Sequence, residues 1–357
     1  RRRDVQVLEG IPGKVLIVRF SPDGKTLAFG GNKGEIYLWD IVSETETAHL
    51  SGHTDSVSAL AFSPDGTILA SAGYDQTIRL HRLGAPQSSY AYRPNSKQVV
   101  AATRQDILSG KCILGEHSGE ILAVASAPGR DVGATGGADG KINVWRLDSC
   151  RLITGLVAHV GGVTALAFSS DHKIAASAGT DRTIRFWNSD FTRALGVIET
   201  GNIIRAVAFS PDGQTLAAGG DGKIIDLIEP VTGKQKAVLV GHSGPVTTLS
   251  FNPRGTLLAS ASLDASVRLW KMPENRVLTV LRGHSDAVLD LSFSPDGMNL
   301  ASAGQDATIR LWNTNNFFEK MILRKHSAPV TGIAFASHGH SLFSVGQDSH
   351  AFLWDIE

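Results

Sequence analysis

A four-residue signature returns along the chain at a nearly fixed interval, and that periodicity restricts the fold more than any other property. Ser-Pro-Asp-Gly stands at Ser21–Gly24, Ser63–Gly66, Ser210–Gly213 and Ser294–Gly297. Weaker copies begin at Asn252, Ser169 and Ala336. Histidines set the period. His117, His159, His242, His284 and His326 are separated by 42, 83, 42 and 42 residues, and the 83 divides at Thr200. Nine residues after most anchors an apolar run ends in Phe, at Phe62, Phe168, Phe209, Phe251, Phe293 and Phe335. A third landmark is a Trp closing a β-branched segment, at Trp39, Trp145, Trp187, Trp270, Trp312 and Trp354.

Inside one unit the alternation is that of strands. Val288–Phe293 alternates, a Pro-Asp-Gly turn follows, and Leu300–Ala303 and Thr308–Trp312 come next. Three short strands and a fourth before the next histidine form a small antiparallel sheet. Such a sheet cannot bury both faces alone, so the sheets must stack on one another. Units of about 40–45 residues with this layout predict propeller blades.

The chain resembles the WD-repeat family over nearly its whole length. Gly52-His53, Gly241-His242 and Gly283-His284 match one end of the family pattern, and Trp39-Asp40 and Trp354-Asp355 match the other. Departures are Trp187-Asn188, Trp312-Asn313, Trp270-Lys271 and His81 in a Trp position. The resemblance implies an all-β fold: a single closed β-propeller of four-stranded antiparallel blades. Eight units have their three inner strands, ending near Trp39, His81, Trp145, Trp187, Leu227, Trp270, Trp312 and Trp354. The last has no residues left for a fourth strand, while a spare strand, Asp4–Glu9, precedes the first. In the family such a leading strand completes the final blade, which removes an open sheet edge. The expected layout is a closing strand at 3–10 and repeats near 11–52, 53–81, 117–158, 159–199, 200–241, 242–283, 284–325 and 326–357.

His53 to His117 spans 64 residues and breaks the period. Within 82–116, Ser89–Asn95 and Val99–Asp106 mimic a first and a second strand, and Ser109-Gly110-Lys111 mimics the approach to a fourth. Three readings fit: an insertion, an eroded repeat, or a blade that has lost its loops. Eight blades is the count adopted, with nine, counting a degenerate blade at 82–114, as the alternative.

The resemblance also implies a buried hydrogen-bonded chain of His, Ser or Thr, Asp and Trp in each blade. Four blades carry it: His159, Ser177, Asp181, Trp187; His242, Ser260, Asp264, Trp270; His284, Ser302, Asp306, Trp312; and His326, Ser344, Asp348, Trp354. A fifth has Thr: His117, Thr135, Asp139, Trp145. Buried polar groups must be paired, and a chain in which each member donates and accepts satisfies all of them. Ser, His and Asp together invite a hydrolase reading. Their recurrence blade after blade argues for structure instead. Phe29 with Lys33, and Thr200 with Ala218, break the network in the first and fifth units, which are expected to be looser.

Other chemistry is not supported. Gly24-Lys25-Thr26 has Arg19 where a phosphate loop needs its first Gly. Gly241–Gly244 has Pro245 where a nucleophile elbow needs Gly. His338, His340 and His350 lack a sequence-adjacent Cys or acidic ligand, so no metal site and no cofactor is expected. Lys plus Arg and Asp plus Glu number 34 each, which disfavours a nucleic-acid coat. Arg1-Arg2-Arg3 reads as a solvated tail. Two cysteines, Cys112 and Cys150, are too few for a disulfide framework, and they read as free thiols in a reducing, cytoplasmic setting. No apolar run reaches the roughly 18 residues of a membrane helix, and the opening segment lacks a signal-peptide core. The chain opens in strand-like sequence, as if cut from a longer protein.

Function is therefore sought where the repeats differ. The residue before each turn Asp varies most: Tyr74, Ala138, Thr180, Leu263, Gln305 and Gln347. Asp55, Asp286 and Pro329, just after the anchor histidines, vary too. These positions belong to loops at one end, the top face, where a constant scaffold presents changing side chains. Tyr74, Thr180, Leu263, Gln305, Gln347, Asp55 and Asp286 form the candidate partner-binding set, with Tyr74 and Leu263 as apolar anchors. Phe317-Phe318 is a rim contact or edge packing. The expected function is a non-catalytic scaffold or sensor for a protein or peptide partner, one module of a larger regulatory protein. The regular Ser-Pro-Asp-Gly copies look like those of bacterial WD-repeat proteins, in which the domain follows a signalling module. The alternative is a reader of nucleic acid or modified peptides through the top face.

Overall fold

The computed structural model describes residues 5–8, 11–43, 45–83, 112–114, 117–127, 132–146, 151–171, 173–336 and 339–356. Arg1-Arg2-Arg3, Asp4, Glu9, the strand-like stretch within 84–111, Cys150 and His338 lie outside the described residues.

The turn signature has a direct physical origin. In Ser21-Pro22-Asp23-Gly24, the Gly24 amide donates to the Ser21 carbonyl at 2.8 Å. Ser21 Oγ donates to Asp23 Oδ1 at 2.6 Å and accepts from the Thr26 amide at 2.9 Å. Gly24 closes the turn at φ 68°, a left-handed conformation that side chains with a Cβ disfavour. Gly66, Gly213, Gly255 and Gly297 repeat it between 69° and 73°. The Ser hydroxyl holds the Asp carboxyls of these turns below the usual carboxylate range.

Each turn joins the first two strands of one four-stranded antiparallel blade, and eight such sheets are present. Blades one to eight are named here by their first strands: Val15–Phe20, Val57–Phe62, Ile121–Ser126, Val163–Phe168, Ile204–Phe209, Val246–Phe251, Val288–Phe293 and Val330–Phe335. Second strands are small and fully buried, as in Ile174–Gly179, because both of their faces meet neighbouring blades. Apolar clusters lie between successive blades. One joins Ile142 and Val144 of blade three to Trp187 and Phe191 of blade four.

The ring closes as the sequence suggested. Val5–Leu8 pairs antiparallel with Ala351–Asp355, so the opening strand becomes the outer strand of the last blade. Leu8, with 2 % exposure, then joins the seam between blades eight and one. The outer strand of blade two is Cys112–Leu114, which pairs with Ile78–Arg82. The extra length therefore falls between the third and fourth strands of one blade, and the blade count is eight.

Every first strand carries a register break after its first residue, the mark of a β-bulge. The extra residues alternate around the ring: Leu16, Ser58, Leu122, Thr164, Arg205, Thr247, Leu289 and Thr331. The four hydroxyls donate to the next blade, at Ile121, Ile204, Val288 and Val15 O, over 2.6–2.9 Å. The bond from Thr331 to Val15 spans the closing seam.

Candidate functional site

The turn between the second and third strands carries the anchoring Asp. In blade two, Asp75 accepts from His53 Nδ1 at 2.9 Å, from the Thr54 amide at 2.9 Å and from the Thr77 amide at 3.0 Å. One carboxylate thus binds the loop before the first strand to the turn after the second. Blades four, six, seven and eight repeat this with Asp181, Asp264, Asp306 and Asp348 against His159, His242, His284 and His326. Burial opposes ionisation of these carboxyls. The donors around each outweigh it and hold the carboxyls below the usual range, Asp139 at about 2. The four histidines are held below their ordinary value, chiefly by burial.

The chain continues inward. His Nε2 meets the hydroxyl of Ser177, Ser260, Ser302 or Ser344 at 2.8 Å. Trp187, Trp270, Trp312 and Trp354 donate Nε1–H to the same oxygens at 2.8–3.0 Å. With Nδ1–H given to Asp, Nε2 accepts from Ser, and Ser accepts from Trp, so every polar atom is satisfied.

Three blades depart from expectation. In blade three, Thr135 Oγ1 meets His117 at 3.0 Å, but Trp145 Nε1 is buried without a partner. The fifth network therefore stops one member short. A Ser hydroxyl at this register reaches both neighbours, whereas the Thr oxygen reaches only one. In blade two the structure adds a network that the sequence reading missed. Ser71 Oγ lies 2.9 Å from His53 Nε2 and 3.0 Å from His81 Nε2. Since His53 must accept, His81 donates from Nε2 as an indole would. Burial, then repulsion from His53 and Arg79, pushes the His81 ring down to about 3, so it stays neutral. The signal was present, since imidazole offers the same N–H donor as Trp. In blade five the register places Ile228, rather than Leu227, opposite Leu216 in the Trp position. In blade one Trp39 Nε1 has no partner.

The pinned loops carry the variable positions. Backbone amides of Tyr74, Thr180, Leu263, Gln305 and Gln347 donate to Ser56, Gly162, Pro245, Ala287 and Pro329 O at 2.8–3.0 Å. Each variable turn residue is thus held against the loop before its own first strand. By topology all these loops lie at one end of the ring. Tyr74 and Leu263 are 40 % and 48 % exposed, Thr180, Gln305, Asp55 and Asp286 are exposed, and Gln347 is half-buried. Asp55 and Asp286 accept from the next amide, Ser56 and Ala287, at 2.6 and 2.7 Å. In blade five the Tyr74 position is taken by Asp221, which is paired with Arg205.

Two further exposed residues join this end. Val160 is 90 % exposed and Leu122 37 %. Val160 follows His159 where other blades have Thr54, Ser118, Ser243, Ser285 and Ser327, so aligning the repeats would have singled it out. A Cβ added at Gly162 would lie 3.1 Å from Leu122 and 3.3 Å from Ala138 Cα, so the small residues between these side chains leave a shallow floor. At the rim, Phe318 is 73 % exposed while Phe317 packs into a core cluster. Among the described residues no group of three His, Cys, Asp or Glu is placed to hold a metal. No helix among them is long and apolar enough to cross a membrane.

Comparison with known proteins agrees with this geometry. A Chaetomium thermophilum Sqt1 structure, bound to the N-terminus of ribosomal protein L10, covers 98 % of both chains with a TM-score of 0.83 at 22 % identity. The computationally designed Ika8 protein covers 98 % of both chains with a TM-score of 0.81 at 25 % identity. Among curated proteins, small ribosomal subunit protein RACK1y of Oryza sativa subsp. japonica is 30 % identical over 167 residues, 39 % of this chain and 49 % of that protein. Guanine nucleotide-binding protein subunit beta-5b of Danio rerio is 41 % identical over 63 residues, 18 % of this chain and 16 % of that protein. These matches span less than half the length of either relative. The repeat profile described as "WD domain, G-beta repeat" matches residues 2–40, 44–82, 110–146, 150–188, 195–225, 233–271, 275–313 and 318–355. With eight matched repeats over most of its length, one to a blade, the chain belongs to the WD-repeat family.

Proposed function

We propose that this propeller is a non-catalytic protein-interaction scaffold or sensor that holds a protein or peptide segment on its top face. One observation carries the reading: the positions at which the repeats differ are gathered on adjoining loops of one end, and buried Asp–His bonds fix those loops. Pre-organised loops lose little entropy when a partner docks. Tyr74 and Leu263 supply apolar anchors, Thr180, Gln305 and Gln347 supply adaptable hydrogen bonds, and Asp55 and Asp286 supply negative charge. Acidic residues on that face favour a protein or peptide over nucleic acid. The reading extends to a module of a larger cytoplasmic signalling protein. The curated relatives named above are eukaryotic and lend no support to the bacterial likeness of the repeats.

The test is affinity capture with the full chain against a Tyr74→Ala, Leu263→Ala double variant, with bound proteins quantified by mass spectrometry. Partners lost from the variant, with its melting temperature unchanged, are the expected result. An identical set of partners on both would reject the top-face site.

A further inference from the structure

In blades whose third and outer strands follow each other directly, the residue two before the closing Trp position stands near the residue nine further on in the outer strand. In blade seven these are Arg310 and Glu319, an ion pair. In blade five they are Asp226 and Gln235, hydrogen-bonded at 2.7 Å. In blade four they are Arg185 and Ala194, and in blade six Arg268 and Val277, so these two guanidinium groups lack that acid. Arg185 Nε, like that of Arg79, Arg268 and Arg310, is buried with no hydrogen-bond partner, but unlike Arg310 the residue makes no ion pair among the described residues.

Blade four also differs in shape. Gly196 pairs with Phe186 in the outer strand, where blade six has Thr279 paired with Leu269. A Cβ built on Gly196 would have no atom within 4 Å. On the opposite face of the outer strand, beside Arg185, a cavity of about 280 Å³ opens, lined by Arg185, Trp187, Ala194, Leu195, Gly196 and Val197. Ala194–Glu199 is an outer strand whose far edge has no partner strand among the described residues, and Val197 on it is 56 % exposed.

We propose that this rim groove is a second binding site, distinct from the top face, for an extended acidic peptide segment of a partner protein. Its backbone pairs along Ala194–Glu199, and a Glu or Asp side chain enters beside Ala194, where blade seven has its own Glu319, to meet Arg185. The Arg310–Glu319 pair of blade seven is the chain's own example of this contact. A guanidinium presents a planar fork that matches a carboxylate, and a half-buried setting screens the pair less than open water does. The missing acid leaves a cation whose best complement must come from outside.

The probe is a fluorescein-labelled Ser-Val-Thr-Glu-Val-Thr-Ser peptide, with its Gln counterpart as control, titrated against the full chain by fluorescence polarisation. The Glu peptide is expected to bind about tenfold tighter or more, the order of one buried charge-assisted contact. Ala194→Glu supplies the acid internally and should weaken peptide binding by about tenfold or more while raising the melting temperature by about 1 °C. Arg185→Gln provides a second variant with the same expected loss. Tyr74→Ala with Leu263→Ala should leave the peptide's affinity unchanged, which separates this site from the top face. Equal affinity for the Glu and Gln peptides, no binding up to about 1 mM, or full binding by Ala194→Glu would overturn the proposal.

Discussion

Ser302→Ala removes a single oxygen on which two buried groups depend. The Ser302 hydroxyl donates to His284 Nε2 at 2.8 Å and accepts from Trp312 Nε1–H at 2.9 Å, and the residue is fully buried. Alanine fits the same space, so no cavity or clash enters the balance. What remains is one orphaned acceptor and one orphaned donor, each costing about 1–3 kcal/mol in a dry interior. The expected loss is about 2–6 kcal/mol. For 357 residues the unfolding entropy near the midpoint is about 0.75 kcal/mol per degree, so the melting temperature should fall by about 3–8 °C. Differential scanning calorimetry at pH 8 and one scan rate measures it, with urea midpoints as a check. Ser250→Ala, a half-buried Ser outside the networks, is the control and should shift the midpoint by less than about 1 °C. If Ser302→Ala also melted within 1 °C of the wild type, the claim that these networks are satisfied and stabilising would fail.

Other expectations follow from the same chemistry. Thr135→Ser should let the hydroxyl reach the orphaned Trp145 Nε1. It regains about 1–3 kcal/mol against roughly 0.8 for the lost methyl, so the melting temperature should rise by about 1 °C, and a fall would refute the diagnosis. Acid should destabilise the fold in two stages, read from melting temperatures between pH 8 and 3. The buried histidines of blades four, six, seven and eight, and His81, have folded pKa values below the unfolded one. Their contribution is complete above about pH 6.5 and is lost as pH falls toward the folded values. The depressed Asp carboxyls, fully contributing above about pH 4, add a second loss below it. A midpoint unchanged between pH 7 and 5 would contradict the assignment of neutral rings. Amide hydrogen exchange should be faster in blades one and five, where Phe29 and Ala218 replace the network serine, than in blades four, six, seven and eight. Slower exchange there would show that the network does not rigidify its blade.

Much of the architecture was legible because the repeat writes the same physics eight times. A Ser-Pro-Asp-Gly turn has one low-energy backbone path, since its Gly must take positive φ and its Ser and Asp cap the amides. That fixed the strand boundaries, the period and the place of each His and Asp. Closure was legible too, since Val5–Leu8 stood spare where the last unit lacked an outer strand. Departures from the pattern were harder to read. His81 reads as a lost Trp until the structure shows that imidazole can donate to the same Ser71 oxygen. Thr135 reads as a conservative change until Trp145 is seen without a partner.

The chain's own order of residues thus settled the blade, its turns and its polar networks, because each depends on contacts within about 40 residues. Only the assembled ring decided what lies between blades and at the surface. The alternation of hydroxyls at Ser58, Thr164, Thr247 and Thr331 acquires meaning when their acceptors prove to be carbonyls of the next blade. The groove beside Arg185 exists because a small Ala194 stands in the outer strand where blade seven has Glu319. Such features depend on which surfaces meet, and local pattern does not encode that until packing brings distant residues together.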